Sequence, residues 1–236
     1  MTEFLVANAG EVLAIEMDGR LVGVLRERFD VPSQASDPNA LVARSTAFKL
    51  VHADALDYLR RAERDWGDWK LVANLPYSVA STVLVELAQS RRGPQRMVAT
   101  LQIEVAKRLL ARSGESDYGL LTLLIQLDYE PQGWFKIPAS CFFPEPDVGS
   151  ACVILQRRDQ PLLSPEQRKS FIRIVKRGFS QRRKMMFKLL KADWPLDQLG
   201  AAFEALNLSP ALRAEAVSLE DFVRLTRLLC ADSGRE

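Results

Sequence analysis

The stretch Leu71-Val72-Ala73-Asn74-Leu75-Pro76-Tyr77 is the part of the sequence that decides the fold. Its first three residues are apolar and predict a buried strand, and the polar Asn74 follows directly. In sheets whose strands alternate with helices, ligands bind just outside the carboxyl ends of the strands. We therefore expect Asn74 to Tyr77 to lie at the mouth of a binding site.

Working outward from this stretch, short β-type runs alternate with helical patterns over the first two thirds of the chain. Strands are predicted at 12–16, 48–52, 69–74, 96–101 and 150–156, with helical stretches such as 18–28 and 79–89 between them. This alternation predicts an α/β fold with a mostly parallel, doubly wound sheet.

After Leu163 only helical patterns remain. Ser164, Pro165 and Gln167 have the spacing of a helix N-cap, a first-turn proline and a capping-box partner, and they predict a helix that runs to Phe179. We therefore expect an α/β domain over residues 1–158 and a small all-helical domain over residues 159–236.

The composition is typical of a globular protein, with 47% apolar and 26% charged residues in 236. No apolar stretch approaches the roughly 20 residues that a membrane span needs, and no signal-like segment precedes Arg20. We expect a cytoplasmic protein with no membrane association. A single histidine, His52, and three widely spaced cysteines argue against a zinc motif or a disulfide framework, so no metal is expected.

The charge is distributed unevenly. Residues 157–191 contain twelve basic residues against Asp159 and Glu166, a net charge of +10, which leaves −8 for the rest of the chain. Lys169, Arg173 and Arg177 recur every four residues, so they share the exposed side of the predicted helix. Such a segment favours a face that binds a polyanion, although a merely solvated helix surface is the alternative.

The side chains of 74–77 suit the methylation of an exocyclic amine on a base. The lone pair of an adenine amine is delocalised into the ring, and acceptors for its N–H bonds favour the geometry that frees it. The Asn74 amide oxygen is one candidate acceptor; the Leu75 carbonyl, in the extended backbone that precedes Pro76, is the other. Tyr77 offers a ring on which an unstacked base can lie. The alternative is a turn with a capping Asn74 and a buried Tyr77.

Two acidic residues also follow predicted strands. Glu16 closes the first strand, where a carboxylate can accept the hydroxyls of a ribose, and Asp54 follows the second, where it can accept from an adenine amino group. Each could instead be a helix N-cap. Since Glu16, Asp54 and Asn74 all follow strand ends, we expect one shared pocket.

At this point the chain resembles a known family, the S-adenosylmethionine-dependent rRNA adenine N6 dimethyltransferases. The bacterial members confer kasugamycin sensitivity and modify two adjacent adenines near the 3′ end of small-subunit rRNA. The matching blocks extend over almost the whole chain: Ala14-Ile15-Glu16-Met17-Asp18, Ala53-Asp54-Ala55-Leu56, Asn74-Leu75-Pro76-Tyr77, residues 102–108, Tyr118-Gly119-Leu120-Leu121, residues 142–150 and residues 179–184.

The resemblance implies a Rossmann-like methyltransferase sheet with a small helical domain that helps to hold RNA. It implies S-adenosylmethionine as cofactor, small-subunit rRNA or an immature small ribosomal subunit as partner, and a monomer. The residues that it implies fall into three groups. The cofactor-binding residues are Glu16, Met17, Asp54, Ala55 and Asn74. The catalytic residues are Asn74, Leu75, Pro76, Tyr77 and Phe142, with Tyr77 and Phe142 stacking on the flipped base. The RNA-binding residues are Arg173, Arg177, Arg182, Arg183 and Lys184.

Two elements of the family pattern are not found in the chain. The glycine-rich turn after the first strand and a Gln-Asn-Phe-Leu element are both expected upstream of Met1. The first, central strand of the sheet is therefore expected to be missing between the strand that ends at Glu16 and the strand that ends at Asn74. Such a loss would leave two strand edges exposed.

Three other functions remain open. Macrolide-resistance methylases act on large-subunit rRNA, although Gln181-Arg182-Arg183-Lys184 favours the small-subunit group. DNA amine methylases carry a proline where this chain has Leu75. A non-catalytic RNA-binding or ribosome-assembly factor of the same family would retain the basic face but would not bind the cofactor.

Overall fold

A computed structural model describes residues 1–31, 48–62, 64–90 and 92–231. The strands are β1 (Val12–Glu16), β2 (Phe48–His52), β3 (Lys70–Asn74), β4 (Arg96–Gln102), β5 (Tyr129–Ile137) and β6 (Ser150–Arg157). The helices are α1 (Thr2–Asn8), α2 (Gly19–Arg28), α3 (Ala55–Arg61), α4 (Ala80–Gln89), α5 (Ile103–Leu110), α6 (Leu120–Gln126), α7 (Pro165–Gly178), α8 (Met186–Leu190), α9 (Leu196–Ala205) and α10 (Leu219–Ala231), with short 3₁₀ turns at Ala139–Cys141 and Ala214–Ala216.

The chain divides into two compact units, the first ending at Arg64 and the second beginning at Asp65. In the first unit β1 and β2 are parallel, with Val12 opposite Phe48 and Glu16 opposite His52. Val22 of α2 is buried in the same small core as Val12 and Phe48. The carboxyl ends of both strands thus lie at the same edge of this sheet.

The second unit contains a four-stranded sheet in the order β3-β4-β6-β5. β3 and β4 are parallel, whereas β6 is antiparallel to both β4 and β5. The sheet is therefore mixed, and the expectation of mostly parallel pairing holds only for its N-terminal half. Leu71 to Ala73 belong to a strand, as predicted, but the expectation that this strand is buried is wrong. Val72 is 38% exposed, because β3 is an edge strand that pairs, within the described residues, with β4 alone.

Strand β5 was not predicted from the sequence. The segment contains Pro131 and Gly133, which usually mark a turn, and the register with β6 shifts between them. Both residues are tolerated because β5 lies at the outer edge of the sheet, where an irregular strand with fewer donors can still pair on one side. β5 and β6 place the ends of the loop 138–149 next to each other, since Ile137 lies opposite Ser150.

The C-terminal helices share one apolar core, to which Phe171 of α7 and Phe222 of α10 contribute rings that meet edge to face. Leu123 of α6 belongs to the same core, and the Tyr118 hydroxyl donates a hydrogen bond to the Val217 carbonyl at 2.9 Å. Helix α7 begins as predicted, with Ser164 as N-cap and Gln167 as its capping-box partner. The domain boundary between residues 158 and 159 stays a prediction.

None of the helices in the described part of the chain combines the length and the apolar character that crossing a membrane requires.

Candidate functional site

The predicted catalytic stretch lies at the carboxyl edge of the second sheet. Asn74 is the last residue of β3 and stands opposite Thr100 of β4. The Leu75 N–H donates to the Thr100 carbonyl at 3.3 Å, so the chain stays attached to β4 for one residue beyond the strand. Asn74 is exposed, and its side-chain amide makes no hydrogen bond with any described residue. The amide is therefore available to a ligand.

The next two carbonyl groups have different roles. The Pro76 carbonyl accepts hydrogen bonds from the Val79 and Ala80 N–H groups, both at 3.1 Å, and thereby begins α4. The Leu75 carbonyl accepts none from the residues that the structure describes. The N-cap of α4 is Val79 and not Asn74. The alternative interpretation of Asn74 as a capping residue is therefore wrong. Two consecutive residues each retain an acceptor without a donor among the described residues, the Asn74 amide oxygen and the Leu75 carbonyl.

Tyr77 is held by a residue for which no role was predicted. Its hydroxyl lies 2.5 Å from the hydroxyl of Ser150, the first residue of β6. Ser150 is 1% exposed and is opposite Gln102 at the end of β4. Because a buried serine on a strand has little freedom, this hydrogen bond restricts the orientation of the Tyr77 ring.

The loop with Phe142 reaches the same edge of the sheet. It leaves β5 at Ile137, returns at Ser150, and is held by the hydrogen bond from the Ile103 N–H to the Gly149 carbonyl at 2.9 Å. Phe142 ends the 3₁₀ turn and is half-buried, whereas its neighbour Phe143 is fully exposed. The structure thus brings the Phe142 loop to the edge where Asn74 and Tyr77 lie.

Glu16 lies at the carboxyl edge of the first sheet. Its Oε1 accepts the Asp18 N–H at 2.8 Å, and it is half-buried. The N-cap of α2 is Asp18, which accepts the Arg20 N–H at 2.8 Å, and this bond holds the pKa of Asp18 below its usual range. Glu16 is therefore not a helix cap, and its second oxygen remains free among the described residues. Met17, the next residue, is 66% exposed.

For Asp54, the alternative role as a helix N-cap is the one that the structure shows. It is the N-cap of α3, and its Oδ1 accepts the Asp57 N–H at 3.0 Å. This leaves Oδ2 for a ligand, with Ala55 beside it in the first turn of α3. The expectation that Glu16, Asp54 and Asn74 share one pocket stays a prediction, because Asn74 belongs to the second unit.

The predicted RNA-binding residues lie in two groups. Arg182, Arg183 and Lys184 are exposed in the connection between α7 and α8. Arg173 and Arg177, on α7, are both bound to Asp193. Arg173 donates to Asp193 Oδ1 from Nε at 3.2 Å and from a terminal nitrogen at 2.6 Å, and Arg177 donates to Oδ2 at 2.5 Å. The hydrogen bonds from Arg177 and then Arg173 lower the pKa of Asp193 to about 2.

Other basic residues of the segment stabilise the fold. Arg168 forms an ion pair with Asp128 and also donates to the Ala88 carbonyl at 2.7 Å. Arg158 pairs with Glu130. The charge of +10 that the sequence assigns to residues 157–191 therefore overstates the positive charge that is free to attract RNA.

The contacts of Ser150 and Asp193 were not predicted from the sequence. Ser150 lies within the block 142–150 that resembles the family, but nothing in its type or spacing indicates that it meets Tyr77, 73 residues earlier. Asp193 follows the basic segment by two residues. Its position beside the basic segment is visible in the sequence, whereas its hydrogen bonds to Arg173 and Arg177 are not.

Comparisons with known proteins agree with one another. The family model for ribosomal RNA adenine dimethylase matches residues 1–230. Ribosomal RNA small subunit methyltransferase A of Moorella thermoacetica is 33% identical over 232 residues, which cover 97% of this chain and 78% of that protein. The protein of the same name from Geobacter metallireducens is also 33% identical, over 100% of this chain and 83% of its own length.

Among solved structures, a dimethyladenosine transferase from Plasmodium falciparum has the same fold. The TM-score is 0.73 at 21% sequence identity, with 95% of this chain and 83% of that chain covered. The similarity supports a Rossmann-like methyltransferase fold.

Proposed function

Because this chain belongs to the ribosomal RNA adenine dimethylase family and is thereby an rRNA adenine dimethyltransferase, we propose that it transfers methyl groups from S-adenosylmethionine to the N6 amines of adjacent adenines in small-subunit rRNA. Its curated relatives carry the name small subunit methyltransferase. The proposal includes a cytoplasmic monomer that acts on rRNA or on an immature small subunit.

The observation that carries this proposal is the pair of free acceptors at the end of β3. The Asn74 amide oxygen and the Leu75 carbonyl, adjacent and without donors among the described residues, can accept the two N–H bonds of an adenine amine. When both N–H groups of the amine are hydrogen-bonded to these two acceptors, the nitrogen lone pair is directed out of conjugation with the ring. No side chain needs to change protonation for this step, so catalysis rests on positioning and on fixed dipoles.

Tyr77 and Phe142 are the proposed stacking partners of the flipped base. The hydrogen bond to Ser150 fixes the Tyr77 ring before RNA arrives, and such preorganisation reduces the entropy that binding would otherwise cost. Pro76 contributes indirectly, because its carbonyl begins α4 and so holds the turn in which Leu75 and Tyr77 lie.

The residues of the first unit fit the groups of a nucleoside cofactor. Glu16 and Asp54 each retain a carboxylate oxygen that accepts no hydrogen bond from the described residues. We assign Glu16 to the ribose hydroxyls and Asp54 to the adenine amine, with Met17 and Ala55 alongside. S-adenosylmethionine would supply an electrophilic methyl group.

The decisive test is methyl transfer to purified small ribosomal subunits that lack the modification. We expect N6,N6-dimethyladenosine in the small-subunit rRNA, detected by mass spectrometry of nucleosides, and at least about 100-fold slower formation of this product with the Asn74→Ala variant. Large ribosomal subunits, assayed in the same way, are the control substrate. Methylation of large subunits alone would favour a macrolide-resistance type of methylase.

A calorimetric titration with S-adenosylmethionine separates the enzyme from a binding factor. If the protein binds small-subunit rRNA but gives no heat with the cofactor and no methylated product, it acts as an RNA-binding factor without catalysis.

A further inference from the structure

A cleft on the exposed side of α7 concentrates positive charge. Its volume is about 480 Å³, and Lys169, Ile172, Arg173, Lys176, Arg177, Ser180 and Asp193 line it. The residues of α7 among them recur at intervals of three and four, so they form one continuous stripe along the helix. The cleft therefore contains four cationic groups and one carboxylate.

The carboxylate of Asp193 occupies a central position in this cluster. Its side chain is only 10% exposed, whereas those of Arg173 and Arg177 are 59% and 43% exposed. Each of its two oxygens binds a different arginine. One largely shielded carboxylate thus fixes two guanidinium groups that remain partly exposed to solvent.

Trp194 also contacts Arg173 and supports the same arrangement. The guanidinium carbon of Arg173 lies 5.0 Å from the centre of the Trp194 ring, and Trp194 packs against the helical core. Arg173 is therefore held by a carboxylate and by an aromatic face together. Its rotamer is fixed by residues that belong to the core and to the connection between α8 and α9.

Two arginines with fixed orientation and unused N–H groups form a typical receptor for a phosphate. Arg173 uses two of its nitrogens on Asp193 and Arg177 uses one, which leaves N–H donors on both for a second anion. Lys169 and Lys176 add charge on the same stripe. A carboxylate that is fully engaged by two arginines neutralises part of their charge but keeps both in place.

We propose that this cleft binds one backbone phosphate of the RNA substrate, and that Asp193 is the positioning residue that organises it. The proposal rests on the proposed function for the identity of the polyanion. It leads to an unusual expectation, because removing a negative charge from an RNA-binding surface should weaken RNA binding.

The relative size of two opposing effects decides this expectation. Loss of the Asp193 charge strengthens the attraction to phosphate by less than about fivefold at a solvent-exposed site. Loss of the fixed arginines means that two long side chains must be ordered during binding, which weakens it by about tenfold. The net effect expected is therefore weaker binding, by about two- to fivefold.

The experiment compares Asp193→Asn with Asp197→Asn in the whole 236-residue chain. Asp197 is exposed in the first turn of α9, so its substitution adds the same charge near the same helices without touching the cleft. The measurement is the affinity for a hairpin of small-subunit rRNA at several salt concentrations. Thermal unfolding of each variant verifies that it is folded.

If the proposal is correct, Asp193→Asn weakens binding and lowers the steepness of the salt dependence by about 0.7–0.9, the value for one phosphate contact. Asp197→Asn should bind as the parent does or more tightly. If the Asp193→Asn variant binds the RNA hairpin as tightly as the Asp197→Asn variant does, and its salt dependence is unchanged, the cleft is only a solvated surface. Arg173→Gln and Arg177→Gln, tested singly, give the same answer if Asp193→Asn fails to fold.

Two further outcomes keep this inference separate from the proposed function. Absence of methylated product together with the expected loss of RNA affinity would contradict the enzyme activity and leave the phosphate site intact. Competition by poly-glutamate as strong as competition by RNA of equal charge would overturn the proposal in favour of an acidic protein partner.

Discussion

The Tyr77 hydroxyl and the Ser150 hydroxyl lie 2.5 Å apart, so a residue that follows β3 is bonded directly to the first residue of β6. Between them β4 pairs with both strands, with Thr100 opposite Asn74 and Gln102 opposite Ser150. The free acceptors and the aromatic ring therefore share one rigid frame. The edge of the second sheet at which the candidate site lies is held by tertiary contacts as well as by its local sequence.

The first prediction concerns this hydrogen bond. Tyr77→Phe and Ser150→Ala should each lower the kcat of methyl transfer by about five- to tenfold, as expected when a hydrogen bond worth about 1 kcal/mol is lost. The double variant should be no slower than the slower single variant, because both substitutions remove the same interaction. Ser90→Ala, which removes a serine hydroxyl bonded to the Leu87 carbonyl, is the control. Additive losses in the double variant would contradict the coupling.

The second prediction concerns the acceptor at position 74. Asn74→Ala should lower kcat by about 10² to 10³, the effect of losing one preorganised polar group at a reacting centre. RNA affinity, measured by filter binding, should stay within a factor of two, since Asn74 is one small exposed side chain. Asn74→Asp retains an acceptor oxygen and should keep more activity than Asn74→Ala. Equal activity of these two variants would argue against an acceptor role.

The third prediction concerns the ion pair between Arg168 and Asp128. Their side chains are 22% and 18% exposed. Burial raises the pKa of Asp128, and the hydrogen bond and charge of Arg168 oppose that rise. Arg168→Ala should lower the free energy of unfolding by about 3 kcal/mol at neutral pH, because it leaves a buried charge without its partner.

The loss of stability caused by Arg168→Ala should depend on pH in a direction that the raised pKa of Asp128 determines. A carboxyl group with a raised pKa in the folded state binds its proton more tightly than in the unfolded chain, so protonation on acidification favours folding. The stability deficit of Arg168→Ala should therefore shrink as the pH falls through the pKa of Asp128. Urea unfolding over that range measures it, and a deficit independent of pH would refute the explanation. The double variant Asp128→Leu with Arg168→Met should recover much of the loss.

The fourth prediction concerns Asp193, whose pKa is lowered from 3.8 to about 2 by Arg177 and Arg173. A carboxyl with a lowered pKa contributes stability above its unfolded pKa and loses it as the pH falls through the folded value. Asp193→Asn should therefore be less stable than the parent at neutral pH, and the difference should fade between about pH 4 and pH 2. A difference that persists in full at pH 2 would show that its origin is packing.

Local sequence patterns predicted most of the strands and helices on which the residues of the candidate site lie. The runs 12–16 and 48–52 coincide with β1 and β2, because both have apolar residues of high β-propensity bounded by polar ones. Position 74 at the end of β3 and the start of α7 at Ser164 were predicted for similar local reasons. These features depend on residues that are close in the sequence.

Features that depend on distant residues could not be predicted. Strand β5 was not predicted because Pro131 and Gly133 usually mark a turn. They are tolerated in this strand only because β5 lies at the edge of the sheet. The exposure of Val72 follows from the position of β3 at the edge of the sheet, which no local pattern contains; only the resemblance, with its missing central strand, indicated an exposed edge there. Asp193 and Arg173 are 20 residues apart and meet only because the helical core brings α7 next to the connection after α8.

The irregularity of β5 also affects how one molecule meets another. Pro131 has no N–H to donate, and the register shift beside Gly133 interrupts the regular spacing of donors along that strand. The outer margin of the sheet is thus a poor template for strand addition. Crowded copies of the protein should therefore resist fibrous self-association through this margin.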